Sequence, residues 1–183
     1  MVALAAASAG CQHKSKTPAE AYRRFSEAVT AGDGGALWDA LDQDTRWNLM
    51  TVQKWHREAY DIVLSNYPEG LERERERRRF EPAATASSAR ELFISQAAPQ
   101  LLPLFQPLVV PDPNIQPGPG EDHAAVVLAS GQRIELVRGK SGGWGFGGML
   151  KRAEDDKNRA YHDLELVRAS AADYERAAAR AGK

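Results

Sequence analysis

Cysteine is almost missing from this chain: there is one, Cys11, in 183 residues. That excludes a disulfide framework and any zinc or iron–sulfur site built from several thiolates. An excess of one charge is missing too. Lysine and arginine number 24 against 25 acidic residues, a net charge of −1, so there is no basic surplus for a dedicated nucleic-acid binder and nucleic acid is not an expected partner. No apolar run approaches the ~18 residues that a membrane-spanning helix needs. His13, His56, His123 and His162 stand in no metal-ligand spacing, and no metal is expected. There is no G-x-S-x-G elbow and no phosphate-cradling loop with its lysine, and no cofactor is implied. What is present is a chain 43% hydrophobic and 27% charged. That composition excludes wholesale disorder, and the length suits one domain burying roughly 68–70% of its unfolded surface.

Residues 2–9 form a short apolar run of small side chains, followed by Gly10 and Cys11. Such a run is the end of a secretory signal. The segment Ser8-Ala9-Gly10-Cys11 resembles the lipobox of bacterial lipoproteins, in which small residues suit the peptidase cleft and the cysteine sulfur takes a diacylglycerol. The alternative is an ordinary free thiol. The polar segment Gln12-His13-Lys14-Ser15-Lys16 then suits a tether. Three acyl chains at ~0.8 kcal/mol per buried methylene anchor a protein permanently. The resemblance implies a membrane partner through the lipid and a cell-envelope location. With Gln12 rather than an aspartate after the cysteine, it implies the outer membrane in a diderm cell.

Thr17-Pro18-Ala19-Glu20 is a helix start: Thr17 can cap, Glu20 can reach back, and Pro18 fits the first turn. Tyr22, Phe25 and Val29 follow at helical spacing up to Gly32, a stop. Asp33 is expected to cap a short second helix holding Leu37, Trp38 and Leu41, and Asp44 to open a longer third that Pro68 ends. Its apolar positions Leu49, Val52, Trp55, Ala59, Ile62 and Val63 make a stripe broad enough for more than one neighbour. Residues 72–79, Glu-Arg-Glu-Arg-Glu-Arg-Arg-Arg, read as a solvated helix with pairs Glu74/Arg78 and Glu76/Arg79, the alternative being a dock for an acidic lipid or partner. A further short helix is expected from Ala89 to Ala98.

Seven of the ten prolines lie between Pro99 and Pro119. Pro99, Pro103, Pro107 and Pro111 recur every fourth residue with leucine, valine and Phe105 between them. A proline lacks the helical N–H and crowds the preceding turn, so this stretch is expected to run extended, its apolar residues laid over the core. Residues 111–122 are expected as an exposed loop. Three strands in meander order follow at 124–129, 133–138 and 144–149. The last has five glycines between Gly142 and Gly148, alternating with Trp144 and Phe146; a strand so lean implies something close against its backbone. Near the end, Tyr161, Leu164, Val167, Ala171, Tyr174 and Ala178 trace an amphipathic seam, in one helix or two, packed on the domain or on another copy.

Helices first and an antiparallel meander after is α+β segregation, with N-terminal helices packed on a curved antiparallel sheet and an added C-terminal helix. The stretch TPAEAYRRFSEAVTAGDGGALWDALDQDTRW, residues 17–47, resembles the opening of the nuclear transport factor 2-like superfamily, in particular its small bacterial lipoproteins. The stretch QRIELVRGKSGGWGF, residues 132–146, is similar to their final hairpin. On this reading residues 1–10 are a signal remnant, 11–16 the lipidated tether, 17–150 the helices and meander, and 151–183 a C-terminal amphipathic extension.

The resemblance implies a cone-shaped fold whose open end can hold an apolar pocket and an apolar small molecule. Tyr22, Phe25, Trp38, Trp55, Tyr60, Trp144 and Phe146 are the expected lining. Individually the tryptophans Trp38, Trp47, Trp55 and Trp144 read as core. The functional expectation is a non-catalytic envelope module for binding or scaffolding, partnered by an envelope protein or a second copy. One alternative is an isomerase- or dehydratase-like enzyme using a base, from His56, Asp39 and Asp61, with Tyr22 or Tyr60 as donor. The other is a purely structural subunit that dimerises through its sheet or last helix.

Overall fold

A computed structural model describes residues 14–181; the signal remnant, His13 and the lipidation candidate Cys11 lie outside the described residues. The elements run α1 (Pro18–Ala31), α2 (Gly34–Ala40), α3 (Gln43–Asn66), α4 (Leu71–Thr85), α5 (Ala89–Leu92) and α6 (Ala98–Phe105). Then come β1 (Asn114–Pro117), β2 (His123–Val127), β3 (Arg133–Arg138), β4 (Trp144–Phe146) and α7 (Leu150–Ala181). The architecture is α+β, with the leading helices against one face of an antiparallel sheet.

Local chemistry sets the first helices. The Thr17 side chain accepts from the Glu20 N–H, while Glu20 reaches back to the Lys16 N–H at 2.8 Å. Gly32, at φ 65°, ends α1 in the left-handed region. Asp33 caps α2, accepting from the N–H groups of Gly35 and Ala36. The cap of α3 is Asp42 rather than Asp44: its carboxylate accepts from the N–H groups of Asp44 and Thr45 and from the Thr45 hydroxyl. Either aspartate could serve by type, and Asp42 takes the role because its own N–H is bound to the Phe146 carbonyl at 3.1 Å.

The sheet has the order β1-β2-β3-β4. Val126 faces Ile134 and Leu136 faces Phe146 across the ladders, and all four are buried against the helices. The first strand is a correction: Asn114–Pro117, within the stretch expected as loop, pairs with β2. Pro117 is tolerated because β1 is an edge strand. On the far side of β4, Trp144 bridges to Ser15 and Phe146 to Leu41, so that edge is covered by the incoming chain and the α2–α3 connection. This explains the glycine-rich strand. A Cβ on Gly145 would stand 2.5 Å from the Asp42 Cα.

The proline segment is a second correction. Its first part is helical, in short pieces: α6 and then a 3-10 turn over Gln106–Leu108, continuing a π-helical turn over Phe93–Ala97 that falls within the helix expected from Ala89 to Ala98; only from Val109 does the chain run extended. Pro99 sits in the first turn of α6 and Pro107 in that of the 3-10 turn, where no helical N–H is required. Within this segment only Pro103 is interior to a helix. Restarting the helix accommodates a proline every four residues. The expectation that the segment covers the core does hold, through Leu101, Leu102, Phe105 and Leu108.

A second apolar cluster lies among α3, α4 and α7, built from Ala59, Val63, Tyr67, Phe80, Leu164, Val167 and Ala171. α7 is one helix of 32 residues, and its seam packs along α3 rather than standing free; Tyr161 is half exposed and Ala178 exposed. α4 carries the charged run, and its ion pairs include Arg77 with Glu74 and Glu81, and Glu76 with Arg75 and Arg79. The expected Glu74/Arg78 pair is not formed, because Arg78 donates to the Glu74 carbonyl instead.

Candidate functional site

The seven aromatics expected to line one cavity are divided between the two clusters. Tyr22, Phe25, Trp38 and Phe146 are buried between the first helices and the sheet, with Trp144 packed beside them. Trp55 and Tyr60 belong to the α3–α4–α7 cluster. Within the first group the Phe25 and Phe146 rings stack at 4.2 Å. Phe105, from the proline segment, packs on both, at 5.6 Å from Phe25 and 5.2 Å from Phe146. The concave side of the sheet is thus filled by the chain's own rings. Trp38 is covered likewise by Phe93 at 5.5 Å. Trp47 departs from the core expectation: it is 64% exposed on α3.

The groups named for acid–base chemistry stand apart. The Tyr22 hydroxyl accepts from the Val110 N–H at 2.8 Å and donates to the Leu108 carbonyl at 3.0 Å. Its hydrogen-bonding capacity is spent on holding down the segment after α6. Asp39 pairs with Arg90 at 3.4 Å, and Asp61 is exposed on α3. Tyr60, on α3, lies near the Arg77 guanidinium of α4.

His56 is the most structured of these groups. It is half-buried on α3, 5.4 Å from the Phe80 ring, at the junction with α4 and α7. The Arg79 guanidinium lies over the same ring, 5.0 Å from its centroid, and is paired to Asp163 of α7 at 2.5 Å. Burial pushes the His56 pKa down; Asp163 opposes the shift and Arg79 reinforces it. The arrangement ties three helices together, and burial there disfavours the imidazolium.

Asp42 is a second perturbed group. Burial pushes its carboxyl pKa up, against the lowering effect of the bonds from Thr45 and Asp44. Its position between α3 and β4 makes it a structural cap. Tyr174 is pushed up to about 12, chiefly by its 2.6 Å hydrogen bond to Glu72. Among the described residues, no cluster of histidine, cysteine, aspartate and glutamate has the makings of a metal site, and no helix is long and apolar enough to cross a membrane.

An open groove of about 360 Å³ runs between the end of α4 and the π-helical turn, lined by Glu81, Pro82, Thr85, Glu91, Ser95 and Gln96. None of the expected lining residues faces it. No signal in the sequence marked it, since it arises where the end of α4 packs beside α5 and the turn after it, a contact that helical periodicity does not specify.

The tether has a clearer structural outcome. Ser15 is buried, and its carbonyl accepts from the Trp144 N–H at 2.9 Å. The Lys14 ammonium donates to the Ser141 carbonyl at 3.4 Å. The polar segment therefore joins the sheet within its last residues. Comparison with protein-family models, with curated proteins and with solved structures finds no match to this chain.

Proposed function

We propose that this protein is a lipid-anchored, non-catalytic module for binding or scaffolding in a bacterial envelope, tethered through Cys11 and akin to the small lipoproteins of the nuclear transport factor 2-like superfamily. The observation that carries the non-catalytic reading is the closed aromatic interior. Phe25, Phe105 and Phe146 occupy the concave side of the sheet, and the Tyr22 hydroxyl is bonded on both sides to the chain. A pocket enzyme needs that space, and a free donor within it, for substrate. Binding is accordingly assigned to the outer surface, with an envelope protein as partner. The kinship is supported by element order: capped helices, then an antiparallel meander closed by a tryptophan strand. The anchor is supported by Ser8-Ala9-Gly10-Cys11, and Gln12 favours the outer membrane of a diderm cell.

The test is a mass spectrum of the native protein taken from solubilised envelopes. The expected N-terminus is Cys11 carrying a diacylglycerol thioether and an acylated amine. An unacylated chain that begins before Cys11, recovered from the soluble fraction, overturns the reading.

A further inference from the structure

We propose that one surface, running from the tether across the β3–β4 turn onto the first turns of α3, is the face on which this domain rests against an anionic bilayer. The inference rests on the lipid-anchor reading and adds to it an orientation. Cys11 precedes Lys14 by three residues, a span of at most about 10–11 Å of extended chain. Lys14 and Ser15 are already fastened to the turn and to β4. A lipid on the Cys11 sulfur therefore holds this edge of the sheet next to the headgroups, and leaves the domain little freedom to turn another side to them.

The exposed side chains on that edge suit the position. Lys14, Lys16 and Lys140 are exposed around it. The surface continues onto α3 through Gln43, whose Oε1 accepts from the Ser141 N–H at 3.4 Å. From Gln43 the positions four, seven and eleven residues on are Trp47, Met50 and Lys54, all exposed and on one helical stripe. Trp47 and Met50 are 64% and 54% exposed, a cost that Trp38, Phe25 and Phe146, all buried, do not carry. A tryptophan and a thioether framed by lysines match the headgroup zone, where an indole ring sits at the polar–apolar boundary and ammonium groups meet anionic phosphates. Over the tether, the β3–β4 turn and residues 43–54 of α3, with Glu20 of α1 beside them, the carboxylates are Asp44 and Glu20, two charges against four lysines, so the face is left positive.

The full chain tests this when its one thiol, Cys11, is coupled to a maleimide lipid in vesicles of phosphatidylethanolamine and phosphatidylglycerol with brominated acyl chains. Chemical coupling supplies the anchor whether or not a cell acylates Cys11, so this result and the mass spectrum of the native protein fail independently. The bromine-quenched share of tryptophan emission is expected to fall at least threefold in Trp47→Phe. It is expected to fall at least twofold in the double variant Lys14→Glu, Lys140→Glu, which keeps all tryptophans. Quenching that is absent in the wild-type chain, or unchanged in both variants, overturns the proposal. So does a dimer of the coupled protein that buries Trp47 away from the lipid, which would make the face a contact with a second copy.

Discussion

Gly145 lies so close against Asp42 that a Cβ on the glycine would stand 2.5 Å from the Asp42 Cα and 2.6 Å from its nitrogen. Neither backbone is free to retreat. Asp42 caps α3 and its N–H is bound to the Phe146 carbonyl, while Gly145 is paired to Val137 in the sheet. Gly145→Ala is therefore expected to destabilise the protein by about 3 kcal/mol, at the upper end of overpacking costs. The midpoint of urea unfolding measures it. Gly143→Ala is the control: its Cβ would meet only the Lys14 side chain, at 3.1 Å, and should cost less than about 1 kcal/mol. Equal losses in the two variants would refute the close approach as the cause.

Tyr22→Phe removes the hydroxyl that fastens Leu108 and Val110. The ring stays, so the core is preserved while a partly buried N–H loses its acceptor, at about 1–3 kcal/mol. Amide hydrogen exchange should show this locally: the Val110 N–H is expected to exchange about tenfold faster or more, the equivalent of about 1.4 kcal/mol. Unchanged protection at Val110 would mean that the segment is held by its apolar contacts alone.

His56 gives a pH dependence with a definite sign. Its folded pKa lies below the ordinary 6.5 because burial disfavours the imidazolium. The unfolded chain then binds the proton more strongly. Stability from the neutral ring is complete above pH 6.5 and declines as pH falls below it, by at most about 1.4 kcal/mol per pH unit. Urea unfolding between pH 7.5 and 5 should show this decline in the wild-type protein and a flatter profile in His56→Gln. A wild-type profile that is level, or rises toward pH 5, would contradict the burial argument.

Local features were legible in the sequence and long-range ones much less so. Thr17, Gly32 and Asp33 act within a few residues of themselves, and each occupies the expected cap. The alternation in 133–138 and the glycines around Trp144 likewise announce a strand and a close neighbour, and Gly145 against Asp42 is that neighbour. The proline segment misled because each proline forbids a helix only relative to the residues before it, and a helix that restarts escapes the rule. The aromatic set was divided because Trp55 and Tyr60 owe their surroundings to α4 and α7, which helical periodicity does not specify. Trp47 falls outside the apolar stripe of Leu49, Trp55 and Ala59, and this was the available signal that it faces outward.

The partners of α3 on α7 are far away along the chain: Asn48 with Lys157 and Asn66 with Glu175 are each separated by 109 residues, and Glu58 with Arg168 by 110. A polypeptide delivered amino end first, from a ribosome or through a secretion channel, can form its early helices and hairpins as they emerge. The helical half cannot close until the carboxyl end has cleared the exit, and until then Ala59, Val63 and Phe80 lack their cover. Stalling or clipping the chain before residue 164 should thus yield a half-built, sticky species that chaperones and proteases recognise, even though every residue of the sheet has been made.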